Sequence, residues 1–571
     1  MALTNFDFPG VTLKQVFAET VTGTVGTLGV ACVGQQYKTH NADYEAEAAK
    51  ITATYDAETG LSTPLPGLVD ASKLDTDTKY QRLVVKNGVF SYFTATSATL
   101  APTVVGNAIR FPQAVTDGGG FVAAANFGAR GVQVGDPVIL SAGDKVVKTE
   151  IIGINSVTGK GFAEIRVANM GTFNDQTTNL SVTFCLVTDA EYAAGSTTFN
   201  ITTAGQLVVN GELTTELADL SGLTGELVSG DLYIEYREKA TDFVGKLGVL
   251  ADPDEVAAVL GAPSKDNPLA LAVFFALSAS KGVSVYFTGV KSDDTIGYAE
   301  AFDFLENYAE VYSLVPATED AAVIQAALSA AVTASEDEES KVRRVVWFGI
   351  TSTSTGDNYD VIADVISKRY VSNYRAVGVW ADDILFNGEI VPNFAGAAAA
   401  AGMRSYETCH RPISNLDYAF FSVAGTHGFT RSQLKQIGRE GIWIIANNSN
   451  GVPVNMKQVT TALKNNINLD EESIVSNADE ICLSLCHVGE NYVGNSNIST
   501  TLIFNLTADV RRVMDNKLID KSGDFRIGAQ LISWELLNIW QDPVNLDWIW
   551  AAIECEPPKP FNKFKMTVRI V

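Results

Sequence analysis

From about residue 246 onward the chain switches between two hydrophobic periods. Short unbroken apolar runs, VSVYFTGV (283–290), VYSLVPAT (311–318), RRVVWFGI (343–350) and RAVGVWADDI (375–384), read as strands buried on both faces. Between them lie YAEAFDFLENY (298–308), EDAAVIQAALSAAVTA (319–334) and NYDVIADVISKRY (358–370), whose apolar residues recur every three or four positions, as on a helix with one buried face. Alternation in this order predicts βαβ units and a mostly parallel, doubly wound sheet with helices on both faces. DPDEVAAVLG (252–261) adds a short helix, with an Asp cap, Pro in the first turn and Gly at the stop.

The flanking regions have other textures. TVGTLGVACVGQQ (24–36) is small, apolar and β-branched, a buried strand. ADYEAEAAKI (42–51) reads as a short helix in a polar stretch, and from 86 to 239 short Val, Ile, Thr and Phe runs punctuated by Gly, Asn and Asp predict an all-β domain of hairpins. Beyond 395, NFAGAAAAAGMRS reads as a small-residue helix, TRSQLKQIGREG as a helix leading into the strand IWIIAN, and LTADVRRVMDNKLID as an amphipathic helix with Val510, Val513, Met514 and Leu518 on one face. ADEICLSLCHVG (478–489) alternates like a strand with Cys482, Ser484 and Cys486 on one side. Both ends of the chain alternate too: Val11 and Leu13 against Thr12 and Lys14, and Phe564, Met566, Val568 and Ile570 against Lys565, Thr567 and Arg569. The final strand follows EPPKP (556–560), an extended, helix-breaking link that carries it away from its own domain.

Composition narrows the classes. At 571 residues, two to four domains are expected. A net charge of −25 argues against direct contact with nucleic acid or an anionic membrane. No apolar stretch approaches the ~20 residues that span a bilayer, and MALTNFDFPG lacks the basic start and apolar core of a signal peptide, which predicts a cytosolic origin. Six cysteines in this length predict reduced, buried thiols. All seven Trp lie beyond residue 346, which places the dense aromatic core in the C-terminal half.

Catalytic signals are weak. GINSVTGKG (153–161) has one residue too many for a phosphate loop, no Ser or Thr after Lys160, and a hairpin setting, so it reads as a turn. SASK (278–281) lacks its companion motifs. Cys409, His410, Cys482, Cys486 and His487 are zinc-ligand types, but buried thiols explain them as well. Asp382 and Asp383 stand at a strand end, where α/β enzymes hold substrates, with a solvated turn as the plain alternative. No catalytic residue, cofactor or metal is assigned.

Four stretches, in order, resemble contractile tail sheath proteins of phages and related injection systems: FPGVTLKQVF with GTLGVACVGQQ, DEVAAVLGAPSKDNPLALAVFFALSASKGVSVYFTGV, VPNFAGAAAAAGMRS, and WAAIECEPPKPFNKFKMTVRIV. The resemblance implies an α/β and α+β multidomain chain: a doubly wound α/β domain, an inserted all-β domain, and a mixed C-terminal domain with extended terminal β-arms. The corresponding division is an N-terminal arm (1–24), the first part of the α/β core (25–85), an outward-facing β insertion (86–239), the core proper (240–400), a C-terminal domain facing an inner tube (401–555), and a donor arm (556–571). The insertion matches nothing in the family.

In such proteins the terminal arms complete a sheet in another copy, which gives Val11, Leu13, Phe564, Met566, Val568 and Ile570 a donor role. The implied function is a helical polymer of stacked rings that contracts from a metastable extended state and drives the tube through an envelope, delivering a genome or an effector. Implied partners are the tube protein, the baseplate and the tail terminator. The implied location is a virion tail or injection particle, assembled in the host bacterial cytoplasm. Arg511, Arg512, Lys517 and Lys521 form a basic face suited to an acidic tube. Two other classes fit parts of the chain: an α/β enzyme with a β-rich accessory domain, and a β-rich surface adhesin.

Overall fold

The computed structural model describes residues 28–560, apart from 41–49, 52–60, 97, 99, 113–130, 156–161, 174–178, 196–198, 210–212, 218–219, 221, 337–341, 463–465, 525–526 and 545. By internal contacts the chain forms two units, Met1–Tyr37 with Ala240–Val571, and Lys38–Lys239. The first boundary falls at 37/38, where the sequence reading placed it at 85/86. The segment after Tyr37 pairs with later strands of the second unit: Lys50–Ile51 lies against Thr224–Ala240 and Leu61–Pro64 against Gln206–Val209. Pairings this distant in sequence leave no local signature.

The first unit is built on an eight-stranded sheet. In chain order its strands are β1 (Gly29–Gly34), β2 (Gly248–Leu250), β3 (Val285–Gly289), β4 (Val311–Pro316), β5 (Val345–Gly349), β6 (Ala376–Ala381), β7 (Ile442–Asn447) and β8 (Pro453–Lys457). Their spatial order is β2-β3-β1-β4-β5-β6-β7-β8. The six central strands are mutually parallel, and β2 and β8 close the edges antiparallel. The chain therefore leaves β1 to one side, crosses back at β4, and continues outward to β7.

Helices cover both faces. Val30 and Cys32 of β1 pack with α2 (Pro268–Ser280) and α6 (Phe394–Tyr406), while Ala31 and Val33 pack with α3 (Thr295–Leu305), α4 (Ala321–Glu336), α5 (Asn358–Ser367) and α7 (Arg431–Arg439). The alternation along β1 is the period of a strand with two buried faces. α1 (Val256–Leu260) begins as expected, with Asp252 accepting from Asp254 N–H and Gly261 at φ +88° ending it. α6 is small-sided because it lies against α2. A Cβ on Gly402 would sit 2.1 Å from the Ala276 carbonyl oxygen. Because β7 and β8 belong to this sheet, the α/β core runs past residue 400 to Lys457.

Two further helices, α8 (Glu472–Glu490) and α9 (Thr500–Lys517), support a hairpin of β9 (Ser533–Gln541) and β10 (Ile549–Glu556). The strand expected at 478–489 is part of α8. Its short window alternates, but Ile474, Ile481, Leu485 and Val488 are spaced by seven, four and three, which is the helical repeat.

The second unit is all-β, as its texture predicts. Its main sheet has eleven strands, among them the long Arg82–Ala95, Ser181–Ala193 and Thr224–Ala240. Two apolar clusters fill it, one around Phe111, Phe173 and Phe184 and one around Phe90, Phe199 and Tyr236. The Gly153–Gly161 loop and the helix read at 42–51 lie largely outside the described residues, and Lys50–Ile51 is strand.

Candidate intersubunit interface

The β9–β10 hairpin is a sheet of only two strands. They pair antiparallel from Ser533 with Glu556 to Gln541 with Ile549, with one irregularity between Leu536 and Asn538. Among the described residues neither strand pairs with a third. One face is seated on the helices: Trp534, Leu536, Ile539, Ile549 and Ile553 pack with Ile481 and Val488 of α8 and with Leu506, Val510 and Met514 of α9. The Trp534 indole N–H donates to Asp515 at 3.0 Å and fixes the seat. The other face is exposed and mixed, with Trp540 directly opposite Trp550 and Glu535 opposite Glu554, and Leu537, Val544, Leu546 and Trp548 also stand in solvent. A two-stranded ribbon is marginal by itself.

α9 is set by a Ser499 cap accepting from Leu502 N–H at 3.1 Å, and it buries Leu502, Leu506, Val510, Met514 and Lys517. Lys517 was expected on the basic face, and here the structure corrects the reading. Its ammonium is 2.6 Å from Glu480 Oε2 with only 7% of the side chain exposed, because it sits one turn below Met514 on the packed side. Arg511, Arg512 and Lys521 are exposed, and Arg512 lies 3.1 Å from Asp509. The donor positions Val11, Leu13, Phe564, Met566, Val568 and Ile570 lie outside the described residues.

α8 is docked by charge. Asp479 accepts from Arg375, just before β6, at 2.8 Å and from the Tyr312 hydroxyl at 2.9 Å. Glu472 accepts from Arg404 of α6 at 2.6 Å and from Gln458 at 3.0 Å. With Lys517 on Glu480, three acids of one helix each meet a base on a different element. Burial alone would lower the Arg375 pKa, but the hydrogen bonds and charge of Asp479 outweigh it and hold it above the ordinary value. Burial, then the Asp479 charge, pushes the Tyr312 phenol well above its usual range. The sequence reading missed these residues. Glu472, Ser476, Asp479 and Glu480 recur at helical spacing, a signal visible only once the segment is taken as a helix.

The zinc-type residues do not converge. Cys409 is buried beside Asn477 and Gln530, and burial pushes its thiol up to about 12. Cys482 and Cys486 of α8 and Cys555 of β10 are exposed, against the expectation of buried thiols; on α8 strand parity was the wrong rule. Asp382 and Asp383 do stand at the end of β6, but Asp382 is buried against His427 and is not part of a solvated turn. No helix among the described residues is long and apolar enough to cross a membrane.

No family model and no curated protein matches the chain. Solved structures that it resembles include a chain of the anti-feeding prophage baseplate (15% identity, TM-score 0.45, covering 58% of this chain and 90% of that one). Another is the sheath complex of the PVC extracellular contractile injection system in its contracted state (12% identity, TM-score 0.44, 57% and 87%). A third is the sheath tail protein of Desulfitobacterium hafniense (11% identity, TM-score 0.35, 96% and 100%). Sheath proteins thus stand among its structural neighbours.

Proposed function

We propose that this chain is the structural subunit of a contractile sheath, without enzymatic activity, which polymerises around an inner tube and shortens to drive it through a target envelope. The observation that carries the reading is the β9–β10 ribbon, paired with no third strand among the described residues and seated on a charge-locked helix pair, in a chain whose own ends alternate like donor strands. Eight residues from Phe564 to Val571 span about 26 Å at ~3.3 Å each, enough to line an edge the length of β10. Each backbone bond adds about 1 kcal/mol net. Burying Phe564, Val568 and Ile570 adds roughly 1.5–3 kcal/mol each, so one donated strand makes a durable link.

In this account the α/β unit is a doubly wound core that moves as a body while the donated strands hold its neighbours. The Lys38–Lys239 unit is an outward decoration, and Arg511, Arg512 and Lys521 meet an acidic tube. The polymer starts in an extended state held by a kinetic barrier and relaxes to a denser packing. The particle delivers a genome or an effector. Its further partners are a baseplate and a terminator.

The test replaces Val568 and Ile570 by Asp. The variant should melt like the parent and sediment as a monomer. A large fall in the monomer's own melting temperature would place the strand in its own core and defeat the proposal. Charge reversal at Arg511 and Arg512 should spare self-assembly and abolish co-assembly with the tube; normal tube decoration would remove that contact from the account.

A further inference from the structure

At the end of β6 two adjacent carboxylates meet an imidazole that is 45 residues away along the chain. Asp382 Oδ1 lies 2.7 Å from His427 Nδ1, and its Oδ2 accepts the His427 backbone N–H at 3.1 Å. Asp383, at φ +60°, accepts the Thr426 hydroxyl at 2.6 Å. One ligand atom from each of Asp382, Asp383 and His427 lies within 4.8 Å of the other two, the only such trio of His, Cys, Asp or Glu among the described residues.

Charge gives a second and independent observation. Six other buried carboxylates among the described residues have a Lys or Arg within 4 Å: Asp75 has Arg237, Glu164 has Arg110, Glu407 has Arg411, and the three acids of α8 have Arg404, Arg375 and Lys517. Asp382, with 10% of its side chain exposed, has only the imidazole, and Asp383 has no Lys or Arg in that range among the described residues. A buried carboxylate with an anionic neighbour and no fixed cation is costly. No Lys or Arg among the described residues offsets this pair as one offsets each of those acids.

We propose that Asp382, Asp383 and His427 bind one divalent cation. Two carboxylates and one imidazole suit a borderline first-row ion such as Mn²⁺ or Zn²⁺, with water completing the shell. The ion binds the neutral imidazole and offsets both carboxylates. It ties the 424–428 turn, whose Ala424 and Gly425 N–H groups already donate to the Asp383 and Asp382 carbonyls, to the end of β6. The small sheet of Ile384–Phe386, Glu389–Val391 and Ser422–Val423 is clamped with it.

The experiment uses the untagged full chain, stripped with EDTA and dialysed. Mn²⁺ binding is followed by electron paramagnetic resonance of the free ion and Zn²⁺ binding by calorimetry. Mn²⁺ avoids thiols, so the exposed cysteines do not confuse that arm. The expected result is one ion per chain, a higher melting temperature with the ion, and at least tenfold weaker binding in Asp383→Asn and in His427→Ala. The amide introduced by Asp383→Asn keeps an acceptor for the Thr426 hydroxyl, so the ion-free melt of that variant should match the parent. The proposal is overturned if neither ion binds saturably up to millimolar concentration, or if both variants bind as the parent does. It is equally overturned if Asp383→Asn lowers the ion-free melt as much as it lowers the ion-bound one, which would leave the three residues as a turn clasp alone.

Discussion

Replacing Asp479 by Ala removes the counter-charge of a guanidinium that has 7% of its side chain exposed and whose Nε already lacks a partner. It also takes from the buried Tyr312 hydroxyl the acceptor it holds at 2.9 Å. An uncompensated buried charge costs about 3–5 kcal/mol, and the lost phenol bond adds about 1 kcal/mol. Exchanging both partners for apolar residues of similar volume, Arg375→Met with Asp479→Leu, should recover most of this loss, because the pair is weak relative to a packed apolar contact while the orphan is costly. Urea denaturation followed by Trp fluorescence is the assay. All seven Trp lie beyond residue 346, so the signal reports the unit that contains α8 and is silent for Lys38–Lys239. The expected order is parent, then the double variant within about 2 kcal/mol, then Asp479→Ala lowest. A cost below about 1 kcal/mol for Asp479→Ala, or a double variant less stable than the single one, would refute the charge-locked seat of the hairpin.

Gly402→Val should destabilise the same transition by about 1–3 kcal/mol or more, because the new Cβ meets the Ala276 carbonyl at 2.1 Å and backbone must shift to admit it. Excising Lys38–Lys239 and joining Tyr37 to Ala240 by a short Gly-Ser link should leave the Trp-reported transition cooperative. Gln35 Nε2 lies 3.5 Å from the Ala240 carbonyl, so the two cut ends are neighbours; a broad, non-cooperative melt would contradict the division into units. Iodoacetamide at pH 8 should label Cys482, Cys486 and Cys555 in the native chain and spare Cys32, Cys185 and Cys409. Burial raises the Cys185 and Cys409 thiols to about 12, which leaves a thiolate fraction of roughly one in ten thousand at that pH, and rapid native labelling of Cys409 would refute its burial.

The parallel sheet was legible because strands buried on both faces cannot alternate. Runs such as VVWFG (345–349) and AVGVWA (376–381) have no other reading once helical stretches separate them. Helix ends were legible where a side chain caps, as Asp252 does before α1. α8 was not, because its buried face is acidic: Glu472, Asp479 and Glu480 belong to the core only through bases that lie 37 to 104 residues away. The same blindness put Lys517 on the surface. The Asp382–Asp383 pair was visible as a strand end, whereas His427 enters the site from 45 residues further on, a closure that no local pattern encodes.

The central claim is that copies of this chain complete one another's sheets and form a sheath. Negative-stain electron microscopy of the concentrated, purified full chain tests it most directly. The account predicts tubes of uniform diameter that vanish when Phe561–Val571 is removed, while the truncated chain keeps its melting temperature. Monodisperse globular particles at every concentration, from a chain that melts cooperatively, would contradict it.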